Sequence, residues 1–262
     1  MRRVAVVGGR GKTGRAVAAA LEARGARARP LGRVELRDPQ QAFAGCDAAY
    51  LIAPNMHADE ATFVARLLKA AARAGVARVV YHSVAAPYVP AMPHHVGKAR
   101  AELAVRHSGL SWAVLQPGVY MQNFLPALAS PDPQLVVPYD PGQGYGMVDL
   151  VDLADVAAAV LLESSLDGAT LEVGGPHTLS LTDLAGIAAG VLGCPVEVTQ
   201  VTPAAWAETL GADLGDRERK WLLAMFAYYD AHGLKTSSLA TATILGRTPT
   251  PFAEVLTREM KV

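Results

Sequence analysis

The stretch VAVVGGRGKTGRAV, residues 4–17, decides the fold because three glycines join a short apolar run to an alanine-rich segment. The run Val4–Val7 predicts a buried parallel strand, and the alanine-rich segment predicts the helix that follows it. Gly8 permits a tight turn, Gly11 lets the backbone approach a pyrophosphate, and Gly14 lets the helix pack close to the strand. The spacing therefore predicts a dinucleotide site at the positive N-terminal end of the helix.

A P-loop is the competing interpretation, because Gly11-Lys12-Thr13 matches the end of the pattern G-x-x-x-x-G-K-[ST]. That pattern requires a glycine five residues before Gly11, but Val6 lies there, inside the apolar run. Without that glycine the backbone cannot wrap around a β-phosphate. A glycine turn that binds no ligand is the other alternative, and the position of the motif between a strand and a helix favours the dinucleotide.

Composition indicates a globular α/β protein with a sizeable core, since 51% of its 262 residues are hydrophobic. The 24 acidic residues balance the 24 Lys and Arg residues, which gives no general attraction to nucleic acid or to an anionic membrane. There is no run of 18 apolar residues, so no membrane span is expected. We expect a small-molecule substrate rather than a nucleic acid or a membrane, and a homodimer is left open.

Cysteine and histidine usage favours a cytoplasmic protein without a metal. Cys46 and Cys194 lie far apart and form no C-x-x-C pair, so both are expected to be reduced thiols. The N-terminus, MRRVAVVGG, is too short and too rich in glycine for a signal peptide. The seven histidines show no H-E-x-x-H pattern and no cluster with Cys or Asp.

Strand and helix patterns alternate through the first half, which predicts a mostly parallel sheet covered on both faces, as in a Rossmann-type doubly wound fold. Only Gly32 and Arg33 separate the second predicted strand, Arg27–Leu31, from the apolar pair around Val34 and Leu36. A parallel crossover needs about a dozen residues. We therefore expect the third strand and its helix to be shortened or missing. The predicted elements after the first strand and helix are strands 27–31, 48–53, 77–83 and 112–116 and helices 39–45, 58–73 and 94–107.

The second half predicts a small α-rich lobe. Ser180 and Asp183 form a plausible capping box for a helix, and Pro251 is suited to open the last helix. We expect residues 1–150 to form the Rossmann domain, and 151–262 to complete the sheet edge and cover the substrate. The loop 131–146, rich in Pro and Gly, is expected to be mobile. The other predicted elements are helices ending at 162 and spanning 203–210 and 217–231, and strands 170–173 and 197–201.

Candidate cofactor residues follow the strands, because ligands of parallel sheets bind beyond the carboxyl ends of the strands. Four basic residues near the adenine end, with no carboxylate before Glu35, favour NADP(H) over NAD(H). These are Arg10, Lys12, Arg29 and Arg33. The alternative is that these arginines are solvated surface charges. The predicted cofactor-binding residues are Gly8, Arg10, Gly11, Lys12, Thr13, Gly14, Arg33, Pro54, Asn55, Ser83, Lys98 and Pro117.

The predicted catalytic residues are His94, Lys98 and Tyr120. His94 and Lys98 are four apart on a helix and share a face, so Lys98 can reach ribose hydroxyls while His94 donates to a carbonyl-like acceptor. That role for His94 assumes a pKa near neutrality. A His pair at a helix start is otherwise a common surface feature.

Apolar and aromatic residues offer a substrate wall, although a buried turn and a helix core explain them equally well. Tyr120, with Met121, Asn123 and Phe124, follows the fourth clear strand after the glycine turn. The second half adds Trp206, Trp221, Met225, Phe226, Tyr228 and Tyr229.

The segments GGRGKTG, YLIAPN, ARVVYHSVAAP, HHVGKARAELAVRHSGLSWAVLQPGVYMQNF and LGRTPTPFAEVL resemble the NmrA-like group of atypical short-chain dehydrogenases/reductases. The resemblance runs from Val4 to about Thr257. It implies a Rossmann domain, an NAD(P)(H) cofactor and a small C-terminal substrate lobe, with Arg33 near the adenosine 2′-phosphate. Relatives in this group include NAD(P)H-dependent quinone, azo-dye and triphenylmethane-dye reductases.

One departure concerns the Y-x-x-x-K pair of typical short-chain dehydrogenases, because none of the eight tyrosines has Lys four residues on. His94 and Lys98 occupy that frame instead, resembling the H-x-x-x-K of NmrA-like members, and Ser83 lies near the place of the usual serine. Gln116 stands where many relatives carry Arg. The departure puts ordinary alcohol dehydrogenase and sugar-epimerase chemistry in doubt.

Three functions fit these observations. The first is an NAD(P)H-dependent reductase that transfers hydride to a small conjugated acceptor, of the quinone, dye or imine type. The second is a non-catalytic NAD(P)-binding redox sensor, and the third is a natural-product tailoring reductase or dehydratase.

Overall fold

A central sheet of six parallel strands organises the computed structural model, which describes residues 1–260. The strands are β1 (Arg3–Val7), β2 (Arg27–Leu31), β3 (Ala48–Leu51), β4 (Arg78–His82), β5 (Ser111–Pro117), β6 (Val119–Tyr120), β7 (Gln134–Val137), β8 (Tyr145–Val148), β9 (Thr170–Val173), β10 (Thr178–Leu179) and β11 (Glu197–Gln200). The helices are α1 (Lys12–Ala23), α2 (Pro39–Phe43), α3 (Glu60–Arg73), α4 (Pro93–Arg106), α5 (Leu125–Leu128), α6 (Leu150–Leu162), α7 (Leu181–Leu192), α8 (Pro203–Glu208), α9 (Asp216–His232), α10 (Leu239–Leu245) and α11 (Phe252–Met260).

The strand order of the central sheet is β2-β1-β3-β4-β5-β9. The chain leaves β1 for β2 on one side and continues with β3 on the other, so the order reverses at β1. Ligands of such sheets bind at this reversal, beyond the carboxyl ends of the strands. The Rossmann-type parallel sheet expected from the sequence is confirmed.

Within the described chain, no strand lies between β2 and β3, so the prediction that the usual third strand is shortened or missing is confirmed. A single 3-10 turn, Glu35–Arg37, and the short helix α2 occupy the connection instead. Asp38 caps α2, because its side chain accepts a hydrogen bond from the Gln41 amide at 3.1 Å. This edge of the sheet therefore ends at β2, and no strand of the described chain covers the residues that follow Leu31.

Both faces of the sheet are covered, which explains the continuous apolar run of β1. Val4 and Val6 pack against α1 and α6, while Ala5 and Val7 pack on the other side with α3 and α4. The loops that follow the strands begin at this packed sheet, which fixes the positions of their first residues.

The second half is more mixed than an α-rich lobe. Two small sheets, ordered β10-β8-β6 and β11-β7, accompany the helices. The segment 131–146, predicted as a loop, contains β7, which pairs in parallel with β11. That part of the prediction is wrong, since Pro133 and Pro138 bracket a short apolar strand that turn signals conceal. The capping box of Ser180 and Asp183 at α7 is confirmed.

Elements from both sides of residue 150 pack against one another. The strand β9 pairs with β5 at the edge of the central sheet, and α6 packs on that sheet beside α1. The segment β6–β8 lies instead with the aromatic cluster of the second half. The division into 1–150 and 151–262 stays a prediction.

None of the helices described between residues 1 and 260 is both long and apolar enough to cross a lipid bilayer.

Candidate active site

The glycine turn after β1 is crowded by its own backbone. Gly8 adopts φ +72°, a conformation that L side chains rarely take. A Cβ on Gly14 would lie 2.3 Å from the Gly8 carbonyl oxygen, and one on Gly9 would lie 2.6 Å from the Val6 oxygen. Gly8 and Gly14 therefore have the roles expected for them. Gly9, absent from the sequence prediction, is as constrained as Gly14.

Gly11 serves a different purpose, because a Cβ there would meet only one atom, at 3.3 Å. It is the N-cap of α1 and provides no capping side chain. The first amides of a helix have no partner within it, and the N-terminal end carries partial positive charge. The first amides of α1 are therefore left uncapped beside Gly11. A side chain at position 11 would obstruct an anion approaching these amides. A diphosphate fits this end of the helix.

A cavity of about 380 Å³ adjoins the glycine turn. Arg33 and Pro54, both predicted cofactor residues, line it together with Gly8, Gly11 and Gly14. Leu36 and Phe63 supply apolar surface on the side where the missing third strand leaves room. The dimensions and the lining suit the adenosine half of a dinucleotide.

The basic residues near this cavity are not equivalent. Arg10 forms an ion pair with Glu35 and does not line the cavity. The Glu35 carboxylate also accepts a hydrogen bond from the Gly32 amide at 2.8 Å. The backbone amides of Glu35 and Gly32, followed by Arg10, lower the pKa of Glu35. Arg33 is exposed and forms no ion pair within the part of the chain that the structure describes.

A larger cavity of about 610 Å³ continues from the first, with Lys12 and Thr13 shared between the two. It brings together eight of the predicted site residues from six separate segments. These are Lys12, Thr13, Asn55, Ser83, His94, Lys98, Pro117 and Tyr120.

Lys98 is held rigidly in the larger cavity. Its Nζ donates to Glu60 Oε1 at 2.9 Å and to the His82 carbonyl at 3.3 Å. The Tyr81 hydroxyl donates to the same Glu60 oxygen at 2.6 Å. Both Lys98 and Glu60 are buried. An ammonium has three donors, so one N–H of Lys98 is available to a ligand.

His94 lies on the same face of α4 as Lys98, one turn away, and is also buried. Its Nδ1 has no hydrogen-bond partner among the described residues, and its ring stacks on Trp221 with centroids 6.4 Å apart. Burial, followed by the charge of Lys98 and the neighbouring His95, lowers the pKa of His94 to about 3. The expected near-neutral pKa is therefore wrong, and a neutral His94 can donate a hydrogen bond but cannot act as an imidazolium acid.

Tyr120 reaches the cavity at the end of a buried hydrogen-bond chain. Its hydroxyl lies 2.6 Å from His82 Nε2, and His82 Nδ1 lies 2.6 Å from the Tyr50 hydroxyl. Burial and then Lys98 lower the pKa of His82 to about 3, while burial raises the pKa of both tyrosines. All three groups are therefore neutral at physiological pH.

Ser83 is already committed within the protein. Its hydroxyl donates to Glu102, and Gln116 Nε2 donates to the same carboxylate at 2.8 Å. Gln116 and Ser83 thus supply hydrogen-bond donors to the buried carboxylate of Glu102 on α4. This arrangement leaves Ser83 at the cavity wall with its proton directed away from a ligand.

An aromatic wall from the second half closes the larger cavity. Tyr139 contacts the rings of Tyr145, Phe226 and Tyr229, with centroids 5.5–5.9 Å apart. The Tyr145 hydroxyl is buried without a partner among the described residues. These four rings line the cavity with Phe124, Asn123 and Met225. Met121 and Tyr228 pack behind it, and the buried Trp206 packs against Phe226.

Sequence reasoning missed Gly9, the wall rings Tyr139 and Tyr145, and the residues that hold Lys98 and Tyr120 in place. The last group comprises Tyr50, Glu60, Tyr81 and His82. His82 directly precedes Ser83 at the carboxyl end of β4, so the rule that selected Ser83 could have found it. Tyr50 and Tyr81 look like ordinary strand interior, and Glu60 looks like a helix first-turn acid. Only the assembled sheet shows that they meet.

Comparison with known proteins is consistent with this geometry. The sequence profile of the NmrA-like family matches residues 35–256. The chain belongs to the NmrA-like family. This family member is 29% identical over 175 residues to an NAD(P)H azoreductase of Xenophilus azovorans, covering 64% of this chain and 60% of that protein. It is also 29% identical over 168 residues to a (4-alkanoyl-5-oxo-2,5-dihydrofuran-3-yl)methyl phosphate reductase of Streptomyces griseus, covering 62% and 57%. The NmrA-like chain thus spans less than two thirds of the length of these two relatives.

Solved structures share the fold over nearly the whole of this NmrA-like chain. An NADPH-dependent quinone oxidoreductase from Escherichia coli, in complex with NADPH, superposes with a TM-score of 0.82 and 21% identity, covering 98% and 99% of the two chains. A Citrobacter triphenylmethane reductase with NADP(H) has a TM-score of 0.80 and 22% identity, covering 98% and 99%. A negative transcriptional regulator, NmrA, in complex with NAD gives 0.77 and 18%, covering 99% and 97%. At these identities the likeness shows the fold alone.

Proposed function

We propose that the chain is an NAD(P)H-dependent reductase that passes hydride to a small conjugated acceptor of the quinone, azo-dye or imine type. The observation that carries the proposal is the continuity of two cavities. One lies on the glycine turn and suits a dinucleotide, and the other is bordered by aromatic rings and neutral hydrogen-bond donors. The curated relatives, an azoreductase and a furan-derivative phosphate reductase, support the same reaction class.

The residues present fit the cofactor. The amides at the start of α1 would hold the diphosphate, Arg33 would border the adenosine, and the remaining N–H of Lys98 would bind a ribose hydroxyl. Bound in this orientation, reduced nicotinamide supplies the hydride. The protein contributes orientation and exclusion of water, which are the terms that such a transfer needs.

The charges of the larger cavity favour a neutral or anionic acceptor. Lys12 and Lys98 are its charged lining residues, and no Asp or Glu lines it within the described chain. Lys12 also lies 5.7 Å from the centroid of the Tyr120 ring. Glu60 already balances the charge of Lys98, so Lys12 supplies the remaining positive charge. This charge would attract a quinone oxygen or a sulfonated azo dye and would repel a cationic dye.

The choice between NADP(H) and NAD(H) depends on Arg33. It lines the adenosine-side cavity together with Lys12, whose ammonium donates to Asn123 Oδ1 at 3.0 Å, and Arg10 is engaged by Glu35. A 2′-phosphate beside an unpaired guanidinium gains charge-assisted hydrogen bonds. We therefore favour NADP(H).

A redox sensor is the second candidate, and one observation favours it. Neither His94 nor His82 at the larger cavity carries a proton that it could deliver as an imidazolium, and the Ser83 hydroxyl donates to Glu102. A sensor must bind the reduced and the oxidised cofactor with different affinities, because a ligand shifts an equilibrium only by its differential affinity.

The test follows NADPH oxidation with a neutral quinone, an anionic azo dye and a cationic triphenylmethane dye, after calorimetry has established cofactor binding. Turnover of the first two at rates well above that of the cationic dye is expected. A protein that binds NADPH but reduces none of the acceptors would refute the reductase. Unequal affinity for NADPH and NADP⁺ in that protein would then support the sensor.

A further inference from the structure

A hydrogen-bond chain links the interior of the sheet to the wall of the larger cavity. Tyr50 is fully buried in β3, His82 ends β4, and Tyr120 ends β6. Both links measure 2.6 Å, which is short for bonds between a hydroxyl and an imidazole. Nothing in the reaction proposed above yet uses Tyr50 or His82.

The direction of these bonds follows from Tyr50. A neutral imidazole has one N–H donor and one acceptor nitrogen. The Tyr50 hydroxyl makes no other hydrogen bond within residues 1–260, and a buried donor left unpaired costs about 1–3 kcal/mol. Tyr50 must therefore donate to Nδ1. His82 then carries its proton on Nε2 and donates to the Tyr120 oxygen.

This direction of donation leaves the Tyr120 hydroxyl proton without a partner in the chain of three residues. Its oxygen accepts from His82, so its own O–H cannot point back along the chain. A phenol oxygen can accept this bond and still donate its own proton. Because Tyr120 lines the larger cavity, the direction left for that proton is toward a bound acceptor.

We infer that Tyr50 and His82 are positioning residues that fix the Tyr120 hydroxyl as a hydrogen-bond donor to the negative charge formed on the reduced acceptor. The inference rests on the proposed reductase function. The acceptor gains two electrons as hydride, its anion is held by the Tyr120 O–H, and its proton comes from water. No O–H bond of Tyr120 breaks.

Burial argues against a proton relay through the same three residues. Along this chain, a proton lost by Tyr120 would be replaced from His82 and then from Tyr50, and the charge would stop on Tyr50, which has no further partner in the described chain. The pKa of Tyr50 lies well above its usual value because the ring is buried. The chain therefore orients a donor but does not conduct protons.

The first test measures the protonated nitrogen of His82 by NMR on protein with ¹⁵N-labelled histidines, with and without NADPH. The signal is assigned among the seven histidines by its loss in His82→Gln. We expect a proton on Nε2 and a bare Nδ1 at neutral pH. A proton on Nδ1, or an imidazolium, would overturn the inference. This result does not depend on turnover, so it separates the inference from the proposed function.

The second test is a double-mutant cycle on kcat. Tyr120→Phe should lower kcat about 100-fold, as expected for a donor to developing charge, and Tyr50→Phe about tenfold, the equivalent of one hydrogen bond. The double variant should be no slower than Tyr120→Phe alone, with NADPH affinity unchanged throughout. Multiplicative losses, or full activity of Tyr50→Phe, would contradict the inference.

The matched control is Tyr228→Phe, on α9. Its hydroxyl makes no hydrogen bond among the described residues, and the ring does not line the cavity. Its kcat should equal that of the parent protein. Thermal unfolding of each variant identifies any that fails to fold, and the NMR experiment on the unmodified protein decides the inference in that case.

Discussion

The two ends of the proposed binding groove are built in different ways. The glycine turn is a backbone site made by seven consecutive residues, 8–14, and its crowding comes from contacts as close as 2.3 Å for an added Cβ. The larger cavity is a side-chain site whose lining residues lie between Lys12 and Leu234. A backbone site of this kind tolerates few substitutions within its own segment, whereas a side-chain site depends on partners distributed over many elements.

The largest effect is expected at the turn. Gly14→Ala places a methyl group against the Gly8 carbonyl, so the turn must open and its amides lose their alignment. NADPH affinity should fall at least about 100-fold, and overpacking should cost about 1–3 kcal/mol of stability. The control is Gly190→Ala in α7, where an added Cβ meets nothing within 4 Å. Calorimetry that shows unchanged affinity for Gly14→Ala would remove the turn from the site.

At the side-chain end, Lys98→Met should be the most damaging single change for stability. It leaves the buried Glu60 with the Tyr81 hydroxyl as its remaining partner, and breaking a buried ion pair typically costs about 3–5 kcal/mol. Denaturant unfolding measures the loss. The double variant Lys98→Met/Glu60→Gln should recover most of it, and a double variant as unstable as the single one would disprove the pairing.

Acidification should destabilise the folded protein through its buried histidines. Burial is the main cause that lowers the pKa of His82 and His94 to about 3 and of His95 to about 4, against 6.5 when unperturbed. The unfolded chain binds these protons first, so stability is lost as pH falls from about 6.5 toward 3. The slope reaches about 1.4 kcal/mol per pH unit for each histidine.

Thermal unfolding between pH 7 and pH 5 checks this dependence. His94→Gln should flatten the decline, while replacement of the exposed His107 by Gln should not. An identical decline in both variants would show that His94 titrates normally in the folded protein.

The smallest effects are expected on cofactor affinity, from the two arginines near the proposed adenosine cavity, Arg33 and Arg10. Arg33→Ala should weaken NADPH binding about tenfold and leave NADH binding nearly unchanged, because it removes a charge-assisted hydrogen bond to the 2′-phosphate. Arg10→Ala should have a lesser effect, since Glu35 already engages Arg10. Equal losses for NADPH and NADH in Arg33→Ala would assign this residue to the diphosphate or the ring.

Sequence alone reached the turn because its signal is local. The strand, the glycines and the helix are contiguous, and the short gap after Leu31 excluded a third strand by length alone. The pair His94 and Lys98 was also accessible, because a spacing of four residues defines a helix face. Both inferences use only neighbours along the chain.

The environment of the side chains was out of reach. The pKa of His94 depends on burial beneath Trp221, which is 127 residues away in sequence. The bonds of His82 to Tyr50 and Tyr120 join residues from three elements. The strand β7 was hidden because its proline-flanked run has turn-like ends, and its pairing with β11 spans more than 60 residues.

If the turn and the aromatic cavity bind one ligand between them, a crystal structure with NADPH will show it. The diphosphate should lie on the amides that begin α1, and the nicotinamide should lie in the larger cavity beside Tyr120 and Lys98. A nicotinamide directed into solvent, or a diphosphate bound away from residues 8–14, would contradict it.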